Sequence, residues 1–224
     1  MGSGFLKPKS ITFEQAAAVP TSGLIVLANL QNERKIKSGQ SILINGAGGG
    51  VGSIALQLAK SLGATVTAID TTKKLEMLRS LGADFVIDYT KQDFTTLNIK
   101  YDLIFDVASN LKFADCKKVL TPKGIFVLID HDHFGTSRTH VFGMIPRMLK
   151  LVALAPFETA LKGINFSQPP KKESMDLLTQ MLASGKITPV IDKVFPLNKV
   201  PLALQYLASG MACGRILINT KESS

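Results

Sequence analysis

Tryptophan is absent from these 224 residues, cysteine occurs twice and histidine three times. So little cysteine excludes a disulfide-stapled secreted domain. Cys116 and Cys213 also lack the paired spacing of a zinc ribbon or a redox Cys-x-x-Cys. They read as two reduced thiols of a cytoplasmic protein, or of one in an organelle matrix. No apolar run reaches the roughly 18 residues that cross a bilayer, and no apolar signal segment opens the chain. Internal repeats and low-complexity tracts are missing too. No Ser-His-Asp or Cys-His set falls at a useful spacing, which leaves nucleophilic catalysis without a candidate.

Acidic residues are also in short supply: 17 against 26 Lys and Arg, for a net charge of +9. The basic residues are scattered as pairs (Lys73-Lys74, Lys117-Lys118, Lys171-Lys172) with no aromatic platform beside them, so no nucleic-acid footprint forms. An excess of positive charge draws in an anionic small molecule instead. The segment Met144 to Phe157 sets Pro146, Arg147 and Lys150 among apolar residues. It reads as a surface that packs on a partner subunit, as in a homodimer, or on a neighbouring domain, in preference to a membrane-surface helix. With 46% hydrophobic residues, the chain can bury the core of one full domain with an appendage.

The most informative stretch is Asn45-Gly46-Ala47-Gly48-Gly49-Gly50-Val51-Gly52. It follows the apolar run Ser41 to Ile44 and opens a segment whose apolar residues Ile54, Ala55, Leu58, Ala59 and Leu62 form one helical stripe. Strand, glycine loop and helix in that order suit a nucleotide diphosphate. Glycines let the backbone approach the phosphates, and the helix N-terminus offers unpaired N–H groups with a favourable dipole. As a G-x-G-x-x-G pattern the loop carries Ala47 in the first glycine position, then Gly49 and Gly52. Gly63 ends the helix, a second strand runs from Ala64 to Ile69, and Asp70 stands at its end, where an acid can accept ribose hydroxyls.

The alternation continues. Lys73 to Leu81 predicts a helix closed by Gly82, and Phe85 to Ile87 a short strand. Tyr101 to Val107 and Gly124 to Ile129 predict buried strands, with a helix over Phe113 to Leu120 between them. Such a series implies an α/β fold with a doubly wound parallel sheet and a cleft at the carboxyl ends of its strands. Val107, Ala108 and Ile129 fall at those ends. The run Asp130-His131-Asp132-His133, with His140, contains metal-ligand residue types. In an extended run, however, alternate residues point to opposite sides, so it reads as a polar cleft rim and no metal site is expected.

Several ordered segments resemble the medium-chain dehydrogenase/reductases, in the zinc-free quinone oxidoreductase and oxoene (2-alkenal) reductase branch. They include Ala16 to Gly23, Ile36 to Gln40, the glycine loop, Arg79 to Asp84, Ile87-Asp88-Tyr89, Gly185 to Asp192 and Gly214 to Ile218. The resemblance implies a Rossmann domain over 18–160. It also implies a leader with a remnant of a GroES-like catalytic domain over 1–17, and a C-terminal part over 161–224 that rejoins that domain. Since most of the GroES-like domain has no counterpart here, a truncated form is expected. The apolar residues Leu202, Leu204, Leu207, Ile216, Leu217 and Ile218 would then lack their usual partner.

The activity implied is hydride transfer from NADPH or NADH to a quinone or an α,β-unsaturated carbonyl, without zinc. Thr21 stands where zinc relatives place a cysteine ligand. Thr21 is a candidate contact for the nicotinamide, and Arg215 for the pyrophosphate, where a guanidinium matches a phosphate. Lys74 and Tyr89, with Thr71 as a further donor, match the residues that hold a 2′-phosphate in NADPH-using relatives, whereas the Asp70 carboxylate favours NADH. A non-catalytic nucleotide-binding fragment is the alternative, and a methyltransferase a more distant one.

Overall fold

The computed structural model describes residues 7–30, 35–129, 145–161 and 171–220. The chain enters through two helices, α1 (Phe13–Ala18) and α2 (Pro20–Asn29). The first is started by a reciprocal cap between Thr12 and Gln15, and the second has proline at its first position, where a missing N–H costs nothing. Strands and helices then alternate: β1 (Ser41–Asn45), α3 (Gly50–Ser61), β2 (Thr65–Asp70), α4 (Leu75–Ser80), β3 (Phe85–Asp88), β4 (Tyr101–Asp106), α5 (Phe113–Val119) and β5 (Leu120–Leu128). The five strands are parallel in the order β3-β2-β1-β4-β5. The chain therefore winds outward from β1 in one direction, then crosses back to β4 and winds the other way.

Side-chain alternation makes both faces apolar. Ile42 and Ile44 of β1 join Val66, Ala68 and Phe105 under α2 and α3, while Leu43 points to the opposite face with Ile69, Ile104 and Phe126, under α5. Continuous apolar runs are what a sheet covered on both sides requires. Each such Ile or Leu, fully buried, contributes about 1.5–3 kcal/mol of transfer free energy.

Three differences from the sequence expectations have physical causes. The helix expected over Lys73 to Leu81 begins as a 3-10 turn, Thr72–Lys74, and becomes α-helical at Leu75. Strand β5 starts at Leu120, four residues early, and carries Pro122, which reads as a turn in sequence. As the last strand in the sheet order it tolerates proline. Helix α7 (Lys171–Ala183), which falls within the part expected to rejoin the catalytic domain, instead sends Leu178 and Met181 into the core beneath α2.

Helix α6 (Ile145–Leu154) buries Leu151 and leaves Leu149 and Val152 exposed, with Phe157 exposed beyond it. Beyond α7, β6 (Ile191–Pro196), α8 (Val200–Ala208) and β7 (Arg215–Asn219) form a small unit whose two strands pair in parallel. Leu202, Leu204 and Ile218 are exposed there, whereas Leu207 and Ile216 turn toward the large cleft. No helix among the described residues is long and apolar enough to cross a membrane.

Candidate nucleotide-binding site

The winding direction reverses between β1 and β4, so their carboxyl ends part and leave a crevice. Its floor is braced by Asn45, whose Nδ2 donates to Asp106 Oδ1 and to Asn110 Oδ1, both at 2.7 Å. The Val107 and Ala108 amides donate back to the Asn45 carbonyl at 3.0 and 3.2 Å. Ser109, at a positive φ of 55°, donates its hydroxyl to the Ile129 carbonyl and ties this turn to the end of β5.

Two glycines shape the loop between β1 and α3. Gly46 adopts φ +76°, and a β-carbon there would lie 2.9 Å from the Ala108 nitrogen. Gly52 permits the closest approach: a β-carbon would overlap the Gly46 carbonyl oxygen and come 2.6 Å from Ala47 Cα. The Gly46 and Ala47 amides both donate to the Ile69 carbonyl, at 3.0 and 3.1 Å. Helix α3 then starts at Gly49 with no side-chain cap, which leaves its first N–H groups available to a ligand.

The opposite wall comes from the C-terminus. The Gly214 amide donates to the Gly48 carbonyl at 2.8 Å, which lays the start of β7 along the glycine loop. Arg215 crosses over Gly50, where a β-carbon would lie 2.7 Å from the arginine Cδ and closer still to Nε. One guanidinium nitrogen donates to the Ser22 hydroxyl of α2, while Nε is buried with no hydrogen-bond partner. Burial pushes the pKa of Arg215 below its usual value, and no carboxylate pairs with it among the described residues. A half-buried guanidinium beside an uncapped helix N-terminus concentrates positive charge, a setting that suits an anion.

At the far end of the crevice, Asp70 Oδ2 accepts the Gly48 amide at 2.8 Å. Its Oδ1 accepts the Thr71 amide at 2.8 Å and faces Lys74 Nζ at 3.3 Å. Asp70 lies in register with Asp88 of β3. Hydroxyls of Thr72 and Thr90, the Thr90 amide and nearby Lys91 lower the Asp88 pKa from 3.8 to about 2. A carboxylate held lower in the folded than in the unfolded state stabilises the fold above the unfolded value and loses that contribution as pH falls toward the folded one. Asp88→Asn is therefore expected to flatten the drop in urea midpoint between pH 4 and pH 2, as followed by circular dichroism. An unchanged slope would remove Asp88 from the acid transition.

Asn45, Gly46, Asp70, Lys74, Gly214 and Arg215 line one cleft of about 380 Å³. Of the residues singled out by sequence, Gly49, Gly50, Val51 and Arg215 stand around the helix N-terminus. Asp70, Thr71, Lys74 and Tyr89 stand at the far end, and Val107 and Ala108 at the end of β4. Ala47 and Gly52 lie beneath the loop and Ile129 in the core, so these three support the wall from behind. Thr21 is exposed on α2 and does not line the cleft; its neighbour Ser22 makes the contact with Arg215. The run from Asp130 to His133, and His140, lie outside the described residues. Among the described residues no three His, Cys, Asp or Glu side chains cluster as metal ligands.

Sequence reasoning missed Asn45, Asn110 and the strip Leu207, Gly210, Ala212, Gly214 and Ile216, all of which face the cleft. A polar residue closing an apolar strand marks Asn45. The strip has no comparable signal, because its proximity comes from the long-range bond between Gly214 and Gly48.

The sheet order and the glycine crevice at its switch point define a dinucleotide-binding domain of the Rossmann type. The chain belongs to the zinc-binding dehydrogenase family, which matches residues 81–218. It is 36% identical over 218 residues to the 2-methylene-furan-3-one reductase of Solanum lycopersicum, covering 96% of this chain and 49% of that protein. It is 34% identical to the chloroplastic NADPH-dependent alkenal/one oxidoreductase of Arabidopsis thaliana, covering 95% and 49%. Among solved structures, Escherichia coli quinone oxidoreductase complexed with NADPH superposes with a TM-score of 0.75 at 27% identity, covering 96% of this chain and 68% of that one. By name these relatives are a furan-3-one reductase, an alkenal/one oxidoreductase and a quinone oxidoreductase. The chain spans about half the length of the curated relatives it matches.

Proposed function

We propose that this chain is the nucleotide-binding part of an NAD(P)H-dependent reductase acting on quinones or α,β-unsaturated carbonyls without zinc. The observation that carries the reading is the unpartnered Arg215 Nε lying over Gly50 at the uncapped start of α3. A pyrophosphate satisfies both features at once.

The N–H groups of Gly50 and Val51, with Arg215, would hold the pyrophosphate. Thr71, Lys74 and Tyr89 would flank the adenosine ribose, and Val107 and Ala108 would bound the nicotinamide half. Ile129, Ala47 and Gly52 keep those walls in place. A bound nicotinamide would supply hydride to the substrate carbon; the residues described here position it and exclude water. The names of the relatives support a quinone or enone as acceptor. Exposed Leu149, Val152 and Phe157 support a contact with a second copy or a neighbouring domain. For compartment, neither cysteine forms a disulfide, in keeping with the cytoplasm or an organelle matrix, and relatives carry chloroplastic and mitochondrial names.

The test is a titration of the chain with NADH and NADPH, followed by nicotinamide fluorescence, which no tryptophan disturbs. It is paired with an assay of enone and quinone reduction. Saturable binding with turnover is the expected result. Binding without turnover would reduce the chain to a nucleotide-holding module, and no binding would reject the cofactor reading.

A further inference from the structure

An acidic residue at the end of the second strand of such a fold ordinarily offers its oxygens to the ribose hydroxyls, and a cation nearby accommodates a 2′-phosphate. Here the carboxylate of Asp70 is turned the other way. Oδ2 is taken by the Gly48 amide, and Oδ1 by the Thr71 amide and the Lys74 ammonium. Asp70 is 6% exposed and Lys74 8%. The stem of Lys74 lies on Gly48, where a β-carbon would come 2.5 Å from the lysine Cδ. Loop, acid and lysine thus form one closed unit.

Among the described residues that line the cleft, no other charged group stands at this end. Asp88, in register beside Asp70, is engaged by Thr72, Thr90 and Lys91. Tyr89 is half exposed at the cleft, and its amide donates to the Asp70 carbonyl at 3.3 Å. Arg215 is the other cation that lines the cleft, and it belongs to the helix N-terminus. At the ribose end, the lining cation among the described residues is Lys74.

We propose that Asp70 is a positioning residue that latches the glycine loop through Gly48 and competes for Lys74. The Asp70–Lys74 pair, and not a bond from Asp70 to the ribose, then sets the discrimination between NADPH and NADH. This deepens the proposed function and rests on its nucleotide reading. A 2′-phosphate must draw Lys74 away from a carboxylate that already holds it, so the preference for NADPH is present and attenuated. A free 2′-hydroxyl meets a pair that is already neutral and gains little from either partner.

The experiment is a double-mutant cycle on the full chain, with the ratio of the NADH Kd to the NADPH Kd as its readout. Loosening of the loop affects both nucleotides alike and cancels in that ratio. Asp70→Asn is expected to raise the ratio about tenfold by releasing Lys74, the scale of one charge-assisted hydrogen bond. Lys74→Met, which keeps the stem on Gly48, should bring it close to one. In the Lys74→Met background, Asp70→Asn should change the ratio by less than about twofold. An equal rise in both backgrounds would show that Asp70 acts on the nucleotide itself, by contact with the ribose or by repulsion of the 2′-phosphate, and would overturn the proposal. So would a ratio that ignores Asp70→Asn in wild-type background, although the cofactor reading would survive. Failure of the unmodified chain to bind either nucleotide would remove both.

Discussion

Replacement of Gly52 by valine is expected to abolish nucleotide binding and to destabilise the chain by about 3 kcal/mol, the upper range for overpacking. The reason lies in backbone spacing. A β-carbon at this position collides with the Gly46 carbonyl and sits 2.6 Å from Ala47 Cα. Neither neighbour is a flexible side chain that can swing aside. Relief requires α3 to slide away from the loop, which moves the N–H groups of Gly50 and Val51 and opens the bonds from Gly46 and Ala47 to Ile69. For a chain of this size the loss corresponds to a fall in Tm of about 10 °C. Calorimetry and the fluorescence titration measure the two effects separately. A variant that melts normally and binds normally would show that the loop can adapt where the structure leaves it no room.

Arg215→Met should separate binding from stability. The methionine keeps an apolar stem over Gly50 and removes the guanidinium. Charge-assisted hydrogen bonds contribute about 1.5–3 kcal/mol, so the Kd for NADH and for NADPH is expected to rise about 30-fold. The ratio between them should stay constant, because Arg215 stands at the helix N-terminus and not at the ribose end. The unliganded chain should lose little stability, since the group removed is a half-buried charge with an orphaned Nε and no ion pair among the described residues, and its one bond to Ser22 is offset by relief of desolvation. A fall in Tm with unchanged affinity would make Arg215 a strut between β7 and Ser22 of α2 and would withdraw it from the pyrophosphate.

The nucleotide-binding core was readable from sequence because two periodicities change in the right places. Ser41 to Ile44 is apolar without interruption, as a strand buried on both faces must be, and Ile54 to Leu62 keeps one helical stripe. The glycines between them have no better use than a close turn. The start of β5 was not readable: Leu120-Thr121-Pro122 has turn chemistry, and only its place at the sheet edge makes it strand. Helix α7 was assigned to another part because its attachment to α2 depends on contacts of Leu178 and Met181, and such contacts leave no local pattern.

At the candidate site the types of residue were legible and their directions were not. Asp70 is recognisable as an acid after β2, but which way its oxygens face depends on the Gly48 amide and on Lys74. Thr21 and Ser22 are adjacent small hydroxyl residues, and helix phase alone decides that Ser22 reaches Arg215. The strip from Leu207 to Ile216 faces the cleft because the start of β7 meets the glycine loop at Gly214 and Gly48.

That meeting sets the order in which the site is assembled during synthesis. The sheet and the glycine loop are encoded in the first 130 or so residues, and domains form as their sequence emerges. A ribosome that has released only those residues has made the turn for the phosphates without the guanidinium that crosses it. Under the proposed site, full nucleotide affinity therefore waits for β7, which lies well downstream of β5 in the sequence. A product with a complete sheet and no β7 would, on that reading, hold pyridine nucleotides more weakly.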